Sequence, residues 1–373
     1  MTSELGSGCA PMGRRRFIQA AAALASGLAL SAATGDPRTA EADPSRVLRP
    51  QALPPDTSLD PQLAAVIRRG HQLPAADNGD LLVLSYHHVV ADEIAPKMAP
   101  NPFSVTASQL AAHLTMLRSI GFRPVRLAEV VRARRTGTPL PPRSLLLTFD
   151  DGSAGQWTHG DAVLRRTGFS AVTFLITGYV GSAPEFVTWN EVRAMVASGR
   201  WEIGDHTHRD HHTVPTGPAM VRQSALINRA WDPRTRTLET LPAAETRVGT
   251  DLDLSLHVLA QQRLPRPLAF AYPFSRVEGP TNDHVLTEYA EELAARLFPL
   301  RFANVSPGRL VTPADLTLGL LPRFEVHRHV TALELYEEVR AASQRAVSAA
   351  DRTIGAGLLH RGGADPLWRA GRH

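Results

Sequence analysis

The chain alternates between short, continuously apolar segments and longer segments in which apolar residues recur at helical spacing. Segments 81–86 and 144–149 are apolar or hydroxyl-bearing throughout, as is typical of strands in a sheet that is buried on both faces. Three capping boxes, which begin at Thr106, Thr188 and Thr331, indicate helix starts. The predicted strands lie near 81–86, 123–126, 144–149, 171–176, 201–204, 268–272, 301–304 and 318–321. The predicted helices lie near 107–119, 128–134 and 156–166, after Thr188, and over 332–349.

Seven or eight strands in regular alternation with helices predict an α/β fold, a distorted parallel (β/α) barrel. The alternative is an open, doubly wound sheet. That architecture is less favoured because no glycine-rich phosphate loop follows the first strand.

We expect the barrel domain to occupy residues 80–350. Residues 214–244 interrupt the alternation and are interpreted as an insertion, helical near 219–231 and a loop around 232–234. Residues 43–79 are rich in proline and aspartate and predict a linker with one short helix near 62–69. Residues 351–373 are rich in glycine and predict a flexible tail.

The N-terminus has the pattern of an export signal. Arg14, Arg15 and Arg16 precede an apolar, alanine-rich run over 20–33, which is too short to span a bilayer comfortably. The arginines resemble a twin-arginine signal, so residues 1–42 are expected to engage the twin-arginine export machinery. The expected location is extracytoplasmic, either secreted or associated with the cell envelope. The alternative is an uncleaved anchor.

Composition narrows the choice of partners and of metal ligands. The 373 residues are 43% hydrophobic, which suffices for a large core. The net charge of +4 is small and the arginines are scattered, so nucleic acid is not an expected partner. The single cysteine, Cys9, precedes the apolar run. Any metal must therefore be held by oxygen and imidazole ligands.

Four predicted strands end in residues that carry chemistry. They are His87-His88, Asp150-Asp151, the segment 206–212 with four histidines, and Tyr272-Pro273-Phe274. In a parallel barrel these strand ends meet at one face. Two adjacent carboxylates repel each other unless a cation or a proton relieves the repulsion. The alternative for Asp150-Asp151-Gly152 alone is an ordinary Asp-Gly turn.

The spacing of the histidines leaves their pairing open. On a helix, His208 and His212 would share a face, whereas His206 and His211 would point about 140° apart. The second pair converges only across a loop or an irregular turn. Helical geometry therefore slightly favours His208 with His212.

Thr148-Phe149-Asp150-Asp151-Gly152 resembles the first motif of the polysaccharide deacetylases, the NodB-homology group of carbohydrate esterases. The spacing His206-Thr207-x-x-x-His211 is similar to that of the branch that acts on poly-β-1,6-N-acetylglucosamine. The resemblance implies that Asp150 is the general base and that Asp151, His206 and His211 hold one divalent metal ion, which is zinc, nickel, cobalt or iron.

Three further elements extend the resemblance. Ser85-Tyr86-His87 looks like the branch's first strand, which implies that His87 is the general acid. The third motif and the late Pro-Arg element are similar to segment 269–274 and to Pro322-Arg323. Tyr272, Pro273 and Arg323 are thereby expected to contact substrate, with Arg323 also orienting Asp150 and a backbone N–H near Tyr272 stabilising the oxyanion. Ser275 departs from the family pattern, in which glycine is usual.

The implied function is an exported, metal-dependent hydrolase that removes N-acetyl groups from an N-acetylhexosamine-containing polysaccharide. One alternative is an O-acetyl esterase that acts on a glycan through the same metal site. Another is a catalytically silent barrel that binds glycan. The pair Asp150-Asp151 counts against a silent barrel, because a binding protein needs no free base beside a ligand carboxylate.

Overall fold

The computed structural model describes residues 49–50, 61–68, 81–93, 101–275 and 280–359. The predicted signal peptide, Cys9, most of the predicted linker and residues 360–373 lie outside these ranges. Among the described helices, none combines the length and the apolar character needed to cross a membrane.

Fourteen strands are present in the described residues. In chain order they are β1 (Leu81–Tyr86), β2 (His88–Val90), β3 (Ser104–Thr106), β4 (Arg123–Pro124), β5 (Ser144–Phe149), β6 (Ala171–Leu175), β7 (Trp201–Asp205), β8 (Thr213–Pro215), β9 (Arg222–Ser224), β10 (Trp231–Asp232), β11 (Thr237–Leu238), β12 (Ala269–Ala271), β13 (Leu300–Asn304) and β14 (Leu320–Glu325).

Nine α-helices accompany these strands in the same part of the chain. They are α1 (Pro61–Arg68), α2 (Ala107–Ser119), α3 (Leu127–Thr136), α4 (Asp161–Thr167), α5 (Trp189–Ala197), α6 (Leu241–Gln261), α7 (His284–Leu297), α8 (Pro313–Leu318) and α9 (Ala332–Leu359). A π-helical turn (Gln156–Gly160) leads into α4, and 3₁₀ turns span Ala225–Ile227 and Pro273–Ser275.

Seven parallel strands close into a barrel in the order β1, β14, β13, β12, β7, β6 and β5. Closure results because β1 pairs with β14 on one side and with β5 on the other. The short strand β4 adds a pairing to the first residues of β5. The prediction of a parallel (β/α) barrel is confirmed, and an open doubly wound sheet is excluded.

Alternate residues of β1 pack on opposite sides of the barrel wall. Leu81 and Val83 join a cluster that contains residues of β5, β6, β12, β13, β14 and α3, whereas Leu82 and Leu84 join the cluster that contains the buried face of α2. All six residues of β1 are buried, as are all six of β5. This double burial explains why these strands are continuously apolar in sequence.

The predicted insertion over 214–244 differs from the expectation. The helix predicted near 219–231 is wrong, because the chain forms two small antiparallel hairpins there, β8–β9 and β10–β11. Pro215, Gly217 and Pro218 explain the first hairpin, since they disfavour a helix and favour a turn. The 21-residue helix α6 then follows, with Thr240 as its N-cap and Pro242 in its first turn. It was not predicted.

Two element boundaries near the C-terminus also differ. The strand predicted at 318–321 is β14, displaced because α8 continues to Leu318 and ends at the left-handed Gly319. Helix α9 extends to Leu359 and so enters the segment predicted as a flexible tail.

Candidate active site

The carboxyl ends of the barrel strands bring the predicted site residues to one face. The register of β1 and β5 pairs Tyr86 with Phe149, so His87 and Asp150 are the next residues on neighbouring strands. The Asp150 N–H donates to the Tyr86 carbonyl at 2.9 Å. His206 follows β7 directly, and β14 carries Arg323.

Asp151, His206 and His211 form a compact set of metal-ligand donors. One donor atom from each residue lies within 4.8 Å of the other two. Oδ1 of Asp151 lies 3.5 Å from Nε2 of His211 and 3.7 Å from Nε2 of His206. This oxygen is buried and has no hydrogen-bond partner. A buried, unpartnered carboxylate oxygen that faces two imidazole nitrogens fits a divalent cation.

Hydrogen bonding prepares His206 for this role. Its Nδ1 lies 2.7 Å from the carbonyl oxygen of Ala271, and a carbonyl can only accept, so Nδ1 carries the proton. Nε2 therefore presents a lone pair toward Asp151. Burial, together with the neighbouring His211, lowers the pKa of His206 to about 4, so the ring is neutral at neutral pH.

The segment that carries the histidines is a loop. Thr207 adopts a left-handed conformation with φ 74°, and residues 206–212 contain no helix. The helical premise behind the His208–His212 pairing is therefore wrong. Nδ1 of His208 bonds to Thr177 Oγ1 instead, and His212 leaves 47% of its side chain exposed.

Asp150 and Arg323 form a buried bidentate pair. Arg323 donates from Nη1 and Nη2 to the two carboxylate oxygens, both at 2.7 Å. Its Nε donates to Oδ1 of Asn304 at 2.8 Å. Burial alone raises the pKa of Asp150, but the Arg323 charge, followed by that of His206, outweighs it and holds the pKa below its ordinary value. Asp150 is thus ionised at neutral pH.

The buried position of Arg323 changes its predicted role. The side chain is 0% exposed, so direct contact with substrate does not fit. The geometry instead suits the other predicted role, in which the guanidinium orients Asp150.

His87 lies between two carboxylates. Its Nε2 is 3.9 Å from Asp150 Oδ2 and 3.9 Å from Glu325 Oε1. The ring of Phe103 packs against it with centroids 4.8 Å apart. His87 thus lies beside Asp150 at the carboxyl end of β1.

Several residues at the site were not predicted. Gln156 donates through Nε2 to the backbone carbonyls of Asp150 (2.6 Å) and His87 (3.1 Å), and so joins the ends of β1 and β5. Glu325 lies 3.3 Å from His327 Nε2, and His88 Nε2 lies 3.9 Å from Asp151 Oδ2. His88 was named only as part of a strand end, Glu325 lies beyond the strand predicted at 318–321, and no sequence signal marked Gln156 as a site residue.

The third motif, segment 269–274, does not offer the substrate contacts that were predicted for Tyr272 and Pro273. Tyr272 is 1% exposed and Pro273 is buried, so neither side chain offers a surface to substrate. The Tyr272 N–H donates to the Phe302 carbonyl at 3.0 Å and is not available as an oxyanion donor. Phe274 packs against His211 with ring centroids 4.8 Å apart. Phe274 and Ser275 both have positive φ, which explains why glycine would suit position 275.

Comparisons with known proteins agree with this geometry. The model of the polysaccharide deacetylase family matches residues 137–292. The poly-β-1,6-N-acetyl-D-glucosamine N-deacetylase of Escherichia coli K12 is 26% identical over 220 residues, or 55% of this chain and 32% of that protein. The enzyme of the same name from Staphylococcus aureus MRSA252 is 28% identical over 188 residues, or 49% of this chain and 57% of that protein.

Solved structures show the same fold. A de-N-acetylase from Aggregatibacter actinomycetemcomitans superposes with a TM-score of 0.60 at 22% identity, covering 70% of this chain and 100% of that one. The BpsB deacetylase domain from Bordetella bronchiseptica gives 0.56 at 25% identity, covering 68% and 98%. The matched region thus spans about a third of the E. coli relative, and the family match contains Asp150, Asp151, His206 and His211. Over residues 137–292 the chain is therefore similar to the polysaccharide deacetylase family, and the barrel that carries the site is similar to the BpsB deacetylase domain.

Proposed function

We propose that this chain is an exported, metal-dependent hydrolase that removes N-acetyl groups from an N-acetylhexosamine-containing polysaccharide. One observation carries the proposal. Two adjacent carboxylates are separated in role, because Arg323 binds Asp150 while Asp151 faces two histidines. A binding site for neutral glycan has no need of that separation.

Asp151, His206 and His211 are the residues that would hold the ion. One carboxylate and two imidazoles leave coordination positions open for water and substrate, and they suit zinc, nickel, cobalt or iron. The chemistry that such an ion supplies when bound is Lewis-acid activation of water and of the acetamide carbonyl.

Asp150 and His87 would move the protons. Asp150 accepts the proton of the attacking water, since its low pKa keeps it ionised and 2% exposure admits only a small reactant. A C–O bond forms at the acetyl carbon, and the C–N bond then breaks. His87 donates its proton to the departing nitrogen, so that acetate and a free amine result. Asn304 fixes Arg323 and thereby the orientation of Asp150.

The substrate class follows from the relatives. Both the E. coli and the S. aureus relatives are named for poly-β-1,6-N-acetyl-D-glucosamine. We extend this substrate class to the present chain, which would make an acetylated amino-sugar polysaccharide its partner.

Export is proposed from Arg14 and Arg15 with the apolar run that follows them. A double Arg14→Lys, Arg15→Lys variant should accumulate inside the cell, whereas the wild type should appear in extracytoplasmic fractions. Equal export of the two proteins would contradict the twin-arginine assignment.

Product analysis tests the activity. The purified protein is incubated with poly-β-1,6-N-acetylglucosamine, chitooligosaccharides and an O-acetylated glycan, and both acetate and free amine are quantified. We expect acetate and amine in equal amounts from the first substrate. Acetate without amine would identify an O-acetyl esterase, and no acetate from any substrate would indicate a silent barrel.

The Asp150→Asn variant completes the test. It should retain bound metal, because Asp151, His206 and His211 are unchanged. Its turnover should fall roughly 10²–10⁴-fold, because the base is removed. Unchanged turnover would refute the assignment of Asp150 as base.

A further inference from the structure

The loop that carries His206 and His211 is held between two parts of the fold. On one side, the N–H groups of Thr177 and Gly178 donate to the carbonyls of Thr207 (3.1 Å) and His208 (2.9 Å). On the other side the loop meets helix α6. A hypothetical side chain at Gly178 would lie 2.5 Å from the His208 carbonyl, which shows how closely the first contact is packed.

Asp251 on α6 accepts three consecutive backbone N–H groups of this loop. His208 donates to its Oδ2 at 2.7 Å. Arg209 and Asp210 donate to its Oδ1 at 2.7 and 3.1 Å. Hydrogen bonds to an ionised acceptor are shorter and stronger than neutral ones. A single carboxylate therefore fixes the backbone between the two histidines.

Two neighbours of Asp251 on the helix hold the same segment. Arg247 donates to the Asp210 carboxylate at 3.0 Å. Ser255 donates to Oδ2 of Asp205, which directly precedes His206, at 2.7 Å. Residues 247, 251 and 255 are spaced by four, so they lie on one helix face. We call these three residues the α6 stripe.

The α6 stripe touches the histidine segment on both sides of Thr207. Asp205 also accepts the Thr207 N–H at 2.9 Å, which supports the left-handed turn between the ligand histidine and the rest of the loop. The separation of His206 from His211 consequently depends on contacts with α6 as well as on the contacts with Thr177 and Gly178. None of the three residues of the α6 stripe belongs to the donor set.

We propose that Asp251, with Arg247 and Ser255, is a positioning residue that preorganises His206 and His211 for the divalent ion. This inference rests on the proposed metal-dependent function. Supporting groups behind metal ligands typically contribute 10–100-fold to metal affinity. The effect should therefore appear in metal binding before any loss of fold.

The test compares Asp251→Asn with Asp253→Asn. Asp253 lies two residues away on the same helix with its side chain exposed, so its replacement makes the same change in charge. In Asp251→Asn the amide keeps one acceptor oxygen, while the His208 N–H faces an NH₂ group. The dissociation constant for Zn²⁺ is measured by chelator competition on the metal-free full chain. The visible spectrum of bound Co²⁺ reports ligand geometry.

We expect Asp251→Asn to weaken Zn²⁺ binding roughly 10–100-fold and to alter the Co²⁺ spectrum. Asp253→Asn should match the wild type in both measurements. Wild-type affinity in Asp251→Asn would overturn the proposal. If Asp251→Asn does not fold, Ser255→Ala decides, because alanine favours the helix and removes the side-chain bonds of Ser255 to Asp205 and Thr177. Wild-type affinity in Ser255→Ala would then overturn it.

These results separate the inference from the proposed function. If the wild type binds Zn²⁺ and the Asp251 variant binds it equally well, only the positioning role fails. If the wild type binds neither Zn²⁺ nor Co²⁺, the metal-dependent function itself fails.

Discussion

Arg323 clamps both carboxylate oxygens of Asp150 at 2.7 Å, across a sequence separation of 173 residues. The two side chains are almost completely buried, so solvent screens their attraction little. Their geometry therefore governs both the charge of Asp150 and the stability of the barrel.

Replacing Arg323 with methionine should leave Asp150 as an uncompensated buried charge. We expect a loss of roughly 3–5 kcal/mol in the free energy of unfolding. The pKa of Asp150 should rise, so the acidic limb of the kcat/KM profile should move to higher pH. Urea unfolding and a pH–rate profile measure the two effects. Arg309→Met, which breaks an exposed pair with Asp315, should cost less than about 1 kcal/mol. An unshifted acidic limb in Arg323→Met would contradict the coupling.

Alanine at His206 or His211 should weaken binding of the divalent ion by more than about 100-fold, because each removes a donor. Alanine at His208 or His212 should leave it near the wild-type value, since neither residue belongs to the donor set. Metal content after dialysis and chelator competition provide the measurement. Equal losses in His211→Ala and His212→Ala would show that the loop binds metal in another way.

His113 should make the fold sensitive to acid. Burial lowers its pKa to about 4, although a hydrogen bond to the Val330 carbonyl opposes the shift. Below its unfolded pKa near 6.5, the unfolded chain binds a proton that the folded chain does not. Its contribution is therefore complete above about pH 6.5 and declines as pH falls toward 4, by roughly 3 kcal/mol at most.

Urea unfolding between pH 4.5 and 8 measures this slope. His113→Gln should flatten it in part, because His206 has a pKa lowered in the same direction. His257→Gln, at an exposed position on α6, should leave the slope as in the wild type. A wild-type slope in His113→Gln would assign the acid sensitivity to other groups.

Replacing Gly155 with alanine should disturb the packing of the segment before Gln156 against β2. A Cβ there would lie 1.9 Å from the Val89 carbonyl oxygen, beside His88. We expect roughly 1–3 kcal/mol of destabilisation from this overpacking, measured by thermal unfolding. Gly217 has no atom within 4 Å of an added Cβ, so Gly217→Ala should change stability by less than about 0.5 kcal/mol. Equal stability of the two variants would disprove the close contact.

The barrel was predictable because each of its strands can be recognised from its own short segment of sequence. Burial on both faces requires the unbroken apolar runs of β1 and β5, and these are visible in sequence. Helix α6 was missed because the neighbouring hairpins were interpreted as part of one insertion. Pro215, Gly217 and Pro218, which shape the first hairpin, disfavour the helix predicted near 219–231.

The two histidines proposed to hold the metal could not be chosen from their spacing alone. Helical spacing favoured His208 with His212, and only the resemblance to a known family favoured His206 with His211. The left-handed conformation of Thr207 excludes the helix on which the pairing of His208 with His212 rests. This conformation depends on Asp205 and α6. Gln156 could not be found for a related reason, since its two carbonyl partners belong to strands that meet only in the folded barrel.

Closure of the barrel by β14 has a consequence for synthesis. The ribosome synthesises the chain from its N-terminus, so Asp150 leaves the ribosome before Arg323 does. Until β14 is added, β1 lacks one of its two neighbours, and Asp150 lacks its counter-ion Arg323. The nascent protein therefore cannot complete the proposed active site until residue 325 has left the ribosome, and fragments that end earlier should be inactive.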